Sequence, residues 1–175
     1  MVKVTQLSSG VLIYCANMLP TVSEIYVWLD NVRSALNVGS IFRTADGAGV
    51  TEIVLGGYTP TPTDRFGRTQ EEIKKTSLGA SELISWEKVE DKDIEEKIRE
   101  LKEQGFEIVS VEQTDNSISI YDFKPSSKVC YIFGNEIDGV RQEILYLSDK
   151  IIEIPMKGKK ESLNVGVSVG IVLFR

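Results

Sequence analysis

Residues 24–57 read EIYVWLDNVRSALNVGSIFRTADGAGVTEIVLGG, and the succession of patterns inside this stretch decides the fold. The run from Glu24 to Asp30 holds Ile25, Tyr26, Val27 and Trp28 almost without interruption, as a strand buried on both faces of a parallel sheet does. From Asn37 the spacing becomes helical. Val38, Ile41, Phe42, Ala45 and Ala48 recur on one face, Asn37 is a suitable N-cap, and Gly47 and Gly49 suit the exit. Residues 52–55 form the next strand, ended by Gly56 and Gly57. Strand, helix and strand within about thirty residues is the length of a right-handed crossover unit.

The alternation continues outward from this unit. Residues 58–67 (YTPTPTDRFG) form a loop dense in Pro, Thr and Gly, longer than a mere connector requires. Residues 91–104 read as an amphipathic surface helix with Ile94, Ile98 and Leu101 as its buried stripe. Strands are expected at 106–111 and 128–133, a helix around 140–147, and a further strand at 150–154, stopped by Pro155. The fold class is therefore α/β, with a mainly parallel sheet flanked by helices. The last segment is ambiguous on pattern alone. Leu163, Val165, Val167, Val169 and Ile171 alternate as a strand would, whereas Gly166 and Gly170 give a helix a smooth face for close packing, with Asn164 or Ser162 as its cap.

The 175 residues suit one compact domain, with residues 1–24 as a short extension and no added N-terminal domain. No apolar run reaches the roughly 18 residues of a membrane span, and the N-terminus lacks a signal pattern, so a cytoplasmic protein is expected. Cys15 and Cys130 have no metal-ligand spacing and read as free thiols. The chain has no histidine, which removes the commonest general base, the nucleophile pairs built on it and the commonest zinc ligand. No metal is expected. A net charge of -6 argues against indiscriminate nucleic-acid binding, but acids crowd the region around the 91–104 helix and leave basic residues free elsewhere.

Three segments place polar residues just after a strand, where α/β proteins put their ligands. They are residues 31–49 (NVRSALNVGSIFRTADGAG), 133–140 (FGNEIDGV) and 154–167 (IPMKGKKESLNVGV). On residue chemistry, Arg43 lies opposite the apolar stripe, one turn beyond Gly39, with open space to fork onto a phosphate; the plainer alternative pairs it with Asp46. Gly134 lets the backbone approach a ligand, and Glu136 projects from a strand end or, alternatively, sits at the positive end of the next helix. Ser162 and Asn164 stand at a helix start.

In order and spacing the three segments resemble the motifs of the SpoU/TrmH family of RNA ribose 2'-O-methyltransferases, a branch of the SPOUT superfamily. Residues 75–80 (KTSLGA) with Trp86 resemble that family's middle region, so the likeness spans nearly the whole chain. The resemblance decides for a helix at the C-terminus and implies a deep trefoil knot there. It implies S-adenosylmethionine as cofactor, held at Glu112, Gly134, Ile154, Met156 and Leu163. It further implies a catalytic set of Asn37, Arg43, Glu136, Ser162 and Asn164. Arginine keeps its proton in proteins, so Arg43 is read as a positioning and electrostatic group, with its part in proton transfer left open. Ile137 stands where relatives more often carry a glycine, which bears on the shape of that loop. Arg33, Arg65, Arg68, Lys74, Lys75, Lys157, Lys159 and Lys160 are candidate phosphate contacts. A homodimer packed through the Gly166 and Gly170 face is implied, with tRNA favoured over rRNA as substrate. Two other readings stand beside this one: an inactive RNA-binding module of the same fold, and a nucleotide-binding α/β enzyme, disfavoured because neither GxGxxG nor a Walker lysine loop occurs.

Overall fold

The computed structural model describes residues 24–175 and, upstream, two short paired strands, β1 (Thr5–Gln6) and β2 (Leu12–Ile13). Cys15 and most of the expected N-terminal extension lie outside the described residues. The body runs β3 (Glu24–Asp30), α1 (Ala35–Ala48), β4 (Glu52–Gly56), α2 (Glu71–Ser77), α3 (Ala80–Leu83) and β5 (Ser85–Val89). A short 3-10 turn, Asp91–Asp93, then leads into α4 (Ile94–Glu103), β6 (Glu107–Val111), β7 (Ile118–Ser119), β8 (Lys128–Phe133), α5 (Gln142–Leu147), β9 (Lys150–Glu153) and α6 (Val165–Leu173).

Seven strands form one sheet in the order β5-β4-β3-β8-β6-β9-β7, and every neighbouring pair is parallel. The central strands β4, β3, β8 and β6 are buried on both faces, as their unbroken apolar runs require. Val129, Tyr131 and Phe133 of β8 enter one core with α1 and α6, while Cys130 and Ile132 enter the other with α4 and α5. Cys130 is free and fully buried, and desolvation pushes its thiol pKa up, so it packs as a small apolar side chain. From β3 the chain leaves through α1 on one face; from its neighbour β8 it leaves through α5 on the other. Adjacent strands whose connections part in this way open a crevice at their carboxyl ends. Among the described residues no helix is long and apolar enough to cross a membrane.

Helix α1 begins a turn earlier than its pattern predicts. Ser34, not Asn37, is the N-cap: its hydroxyl accepts the Asn37 N–H at 3.2 Å, and Gly49 at φ 73° closes the other end. Asn37 is thereby released from capping. Gly39 also differs from expectation. It opens no space before Arg43, because a Cβ there would stand 2.0 Å from Thr76 Oγ1 and 2.6 Å from the Ile73 carbonyl oxygen. The glycine is the point where α1 and α2 touch. Gly39→Ala is expected to destabilise the fold by about 1–3 kcal/mol through overpacking, offset only partly by alanine's better helix propensity. A midpoint of thermal unfolding equal to that of the native chain would show that the two helices part without cost.

The C-terminal segment is a helix, and its buried residues, Val165, Val169 and Val172, follow helical spacing rather than alternation. Asn164 caps it by accepting the Gly166 N–H at 2.9 Å. A Cβ at 166 would meet Ser40 Oγ at 3.1 Å, and one at 170 would meet Thr44 Cγ2 at 3.8 Å, so both glycines lie toward α1 while remaining partly exposed. Elements between residues 68 and 90 escape the sequence patterns because they are short; Ile73 is the single buried apolar residue of α2.

Candidate active site

The carboxyl ends of β3, β8, β6 and β9 deliver four loops to the crevice. Where β3 ends, Asp30 is fully buried and forms an ion pair with Arg141, which also binds Asp91 at 2.7 Å. The Asp30 carboxylate pushes the Arg141 pKa still higher, so this clamp between the β3 and β8 exits stays charged. Asn31 follows in the left-handed region at φ 57°, which asparagine tolerates better than most residues. Its side-chain oxygen accepts the Tyr58 N–H at 3.0 Å, and its carbonyl accepts Asn135 Nδ2 at 3.2 Å.

After β8 the chain makes a closed turn. Asn135 and Gly139 exchange backbone hydrogen bonds at 3.0 Å each, and Asn135 Oδ1 accepts the N–H of Ile137 at 2.7 Å. Gly139 takes the one positive φ of the turn, 70°, so a side chain at Ile137 is accommodated without strain, pointing to solvent. Gly134 has a purpose other than ligand approach. A Cβ there would lie 2.0 Å from the Gly139 carbonyl carbon and 2.2 Å from Val140 N, so its bare backbone is what lets the turn fold back. Glu112, at the end of β6, accepts the Val140 N–H at 3.0 Å and the Gln113 N–H at 2.8 Å, bracing the same turn from the far side. Gln113 Nε2 donates to the Glu161 carbonyl at 2.7 Å, tying the loop after β6 to the loop after β9.

The loops enclose a cleft of about 330 Å³, within the range of small-molecule sites. All five expected cofactor contacts, Glu112, Gly134, Ile154, Met156 and Leu163, line it, as do Glu136 and Ser162. At its lip, three side chains from three distant segments form one hydrogen-bonded chain: Asn164 Nδ2 donates to Asn37 Oδ1 at 3.2 Å, and Asn37 Nδ2 donates to Glu136 Oε1 at 3.0 Å. The other Glu136 oxygen lies 3.4 Å from the Arg33 N–H. Arg43 is not among the lining residues. It is exposed on α1, six positions beyond Asn37, and forms no ion pair with Asp46 or any other described residue.

Sequence reasoning missed Tyr58. It begins the loop after β4, and its hydroxyl accepts from Arg33 Nε at 3.3 Å and from Asn135 Nδ2, so an aromatic ring about half exposed bridges two motifs beside Glu136. The available signal was its place directly after Gly56 and Gly57 at a strand's carboxyl end. Of the expected phosphate contacts, Arg33 stands by the cleft. Arg65, Arg68, Lys74 and Lys75 stand on the chain between β4 and α2 and on α2 itself, and Lys157, Lys159 and Lys160 on the loop after β9; all eight are exposed. Among the described residues no group of three His, Cys, Asp or Glu side chains could hold a metal ion.

A parallel α/β domain with a ligand cleft at the switch point of its sheet, closed by loops that share one polar chain, is the class of protein this fold and site define. The chain belongs to the SpoU rRNA Methylase family, which it matches over residues 24–174. It is 30% identical over 163 residues to the 23S rRNA (guanosine-2'-O-)-methyltransferase RlmB of Neisseria meningitidis, covering 92% of this chain and 62% of that protein. It is 32% identical over 151 residues to the tRNA (guanosine(18)-2'-O)-methyltransferase of Aquifex aeolicus, covering 86% of this chain and 67% of the relative. Among solved structures it is similar to an AdoMet-bound rRNA methyltransferase from Sinorhizobium meliloti, with a TM-score of 0.77, 31% identity and coverage of 89% of this chain and 56% of that one. The chain thus spans less than two thirds of the Neisseria and Sinorhizobium proteins.

Proposed function

We propose that the chain transfers a methyl group from S-adenosylmethionine to a ribose 2'-hydroxyl in RNA. The observation that carries this reading is the Asn164–Asn37–Glu136 hydrogen-bonded chain at the lip of the cleft, which binds the three motif loops into one site. Residues 24–175 act as a single catalytic unit. The donor fits the cleft on chemical grounds. Its cation would meet a wall with Glu112, Glu136, Asp138, Glu153 and Glu161 and no lysine or arginine, while Ile154, Met156 and Leu163 offer apolar surface to its rings. When bound, its sulfonium supplies an electrophilic methyl group. Glu136, oriented by Asn37, fixes the acceptor side of the site. Ser162 and Asn164, at the start of α6, position the ribose. Arg43 stabilises charge and holds the adjoining phosphate, because long helical side chains lean back toward the N-terminus and therefore toward the cleft end of α1.

The C-terminal segment forms the trefoil knot implied by the motifs. In support, β9 enters the sheet between β6 and β7 after both are laid down, and the loop behind it is tied to residue 113 before α6 returns to α1. The active form is a homodimer packed through the α6 face of Gly166 and Gly170, a reading supported by the exposed apolar residues beside them, Leu163, Val167 and Phe174. Its buried thiol at Cys130 suits the cytoplasm. RNA is gripped by the exposed cations Arg33, Arg65, Arg68, Lys74, Lys75, Lys157, Lys159 and Lys160, with tRNA favoured.

Incubation with methyl-labelled S-adenosylmethionine and bulk tRNA or rRNA, followed by digestion to nucleosides, tests the reading. Label is expected in 2'-O-methylated nucleosides. Label on a base would refute the assigned chemistry, and RNA binding without transfer would leave an inactive docking module in its place.

A further inference from the structure

The loop after β4 carries a feature that the cleft does not use. Residues 64–68 close a small rigid turn: Asp64 Oδ1 accepts the N–H of Phe66 at 2.8 Å and of Arg68 at 2.9 Å, Asp64 N–H donates to the Arg68 carbonyl at 2.9 Å, and Gly67 takes φ 77°. Thr63 and Thr69 pair across its base, and Pro62 accepts the Gln70 N–H at 2.9 Å. This well-tied turn holds Phe66 out in solvent at 68% exposure. Burying such a ring would stabilise a fold, so the display serves no folding purpose. Two guanidiniums lie within cation–π reach of the ring, Arg65 at 4.8 Å and Arg68 at 5.2 Å from its centroid. Arg68 is also bound to Asp64 at 2.7 Å, which leaves Arg65 as the uncommitted cation.

An aromatic ring still largely exposed, with arginines beside it, matches what unpaired bases require. Bases stack on phenyl rings and on guanidinium planes, and the phosphates on either side seek cations. An apolar protein surface would accept the ring but leave the adjacent charges to be desolvated without partners. The turn also belongs to the loop that begins at Tyr58 beside Glu136. Eight residues of chain span at most about 28 Å, so the tip can reach nucleotides a few steps from a ribose held at the cleft.

We propose that the 64–68 turn is a stacking platform for single-stranded RNA, in which an unpaired base lies on Phe66 and Arg65 takes the neighbouring phosphate. This rests on the RNA-methyltransferase reading above and adds to it the kind of RNA recognised: an unpaired segment flanking the target nucleotide.

The test measures fluorescence anisotropy of labelled oligouridylate and oligoadenylate, and of a duplex of equal length, on the full chain and on Phe66→Ala, Phe66→Trp and Arg65→Gln. Phe66→Ala is expected to weaken single-strand binding about tenfold, to change duplex binding little, and to leave the salt dependence unaltered. Phe66→Trp should restore the affinity. Arg65→Gln should make the slope of log K against log salt shallower by about 0.7, one phosphate contact on a single strand. S-adenosylmethionine affinity by calorimetry, unchanged in all three, establishes that the variants fold. Unaltered single-strand affinity in Phe66→Ala, while the native chain still binds RNA, overturns the platform and leaves the methyltransferase reading standing. Failure of the native chain to bind any RNA sinks both. A loss of self-association in Phe66→Ala at constant RNA affinity would assign the ring to a second copy of the chain and also overturn the proposal.

Discussion

Gly134→Ala is expected to raise the dissociation constant for S-adenosylmethionine about a hundredfold, the largest effect of any single methyl group in the cleft. The added carbon would lie 2.0 Å from the Gly139 carbonyl carbon and 2.2 Å from both the Gly139 oxygen and Val140 N. All three atoms are backbone, so no side-chain rotation relieves the clash, and the turn from 135 to 139 must swing away. With it go the paired Asn135 and Gly139 hydrogen bonds and the grip of Glu112 on Val140. Overpacking of about 1–3 kcal/mol together with loss of two or three hydrogen bonds of about 1 kcal/mol each is enough for that factor, since 1.4 kcal/mol is tenfold. Titration calorimetry on a variant shown by circular dichroism to be folded checks it. Gly139→Ala offers the contrast. Its Cβ would meet Glu112 Oε2 at 2.1 Å, the end of a side chain that can move, so the cost is the Glu112 hydrogen bond to Val140, about 1 kcal/mol, and that of alanine at φ 70°, about 1–2 kcal/mol. A folded Gly134→Ala chain with near-native affinity would show that the turn relaxes and that the glycine answers to some other demand.

The strands that frame this turn were legible because residues buried on both faces leave continuous apolar runs. Lys128–Phe133 is a strand in both pattern and structure, and the stripe Ile94, Ile98 and Leu101 is buried as its spacing requires. Helix ends were harder. Ser34 and Asn37 are both good capping residues one turn apart, and the choice between them depends on Glu136, some hundred positions away, which claims the Asn37 side chain. The same difficulty explains Gly39. A sequence shows that a glycine offers room, but not whether a ligand, another copy or a helix of the same chain fills it; here Thr76 does. The expected cofactor contacts could be named only through the motif resemblance. Nothing local to Ile154 or Leu163 says that β9 will lie beside β6 and bring them to Gly134. Tyr58 was missed for a related reason, since its importance comes from Asn31, Arg33 and Asn135 meeting around it.

Arg43→Ala is expected to lower the rate of methyl transfer by about three orders of magnitude while leaving S-adenosylmethionine affinity within about twofold, a magnitude typical of removing one group that stabilises developing charge. The separation of the two effects follows from position. Arg43 is absent from the wall of the cleft, whereas Glu136 and Ser162 belong to it, so the donor would not sense the substitution. The acceptor would. Arg43 is exposed and free of ion pairs among the described residues, which leaves its donors for a phosphate. Arg43→Lys should recover little, because an ammonium does not reproduce the planar fork that fixes a phosphate at two points. Single-turnover transfer and calorimetry on the same preparations separate the alternatives. Turnover within tenfold of native would remove Arg43 from the reaction and leave the Asn164–Asn37–Glu136 chain to orient the ribose without it. A parallel loss of donor affinity would instead mean that α1 shifts when the side chain is cut, making Arg43 a structural support for Asn37.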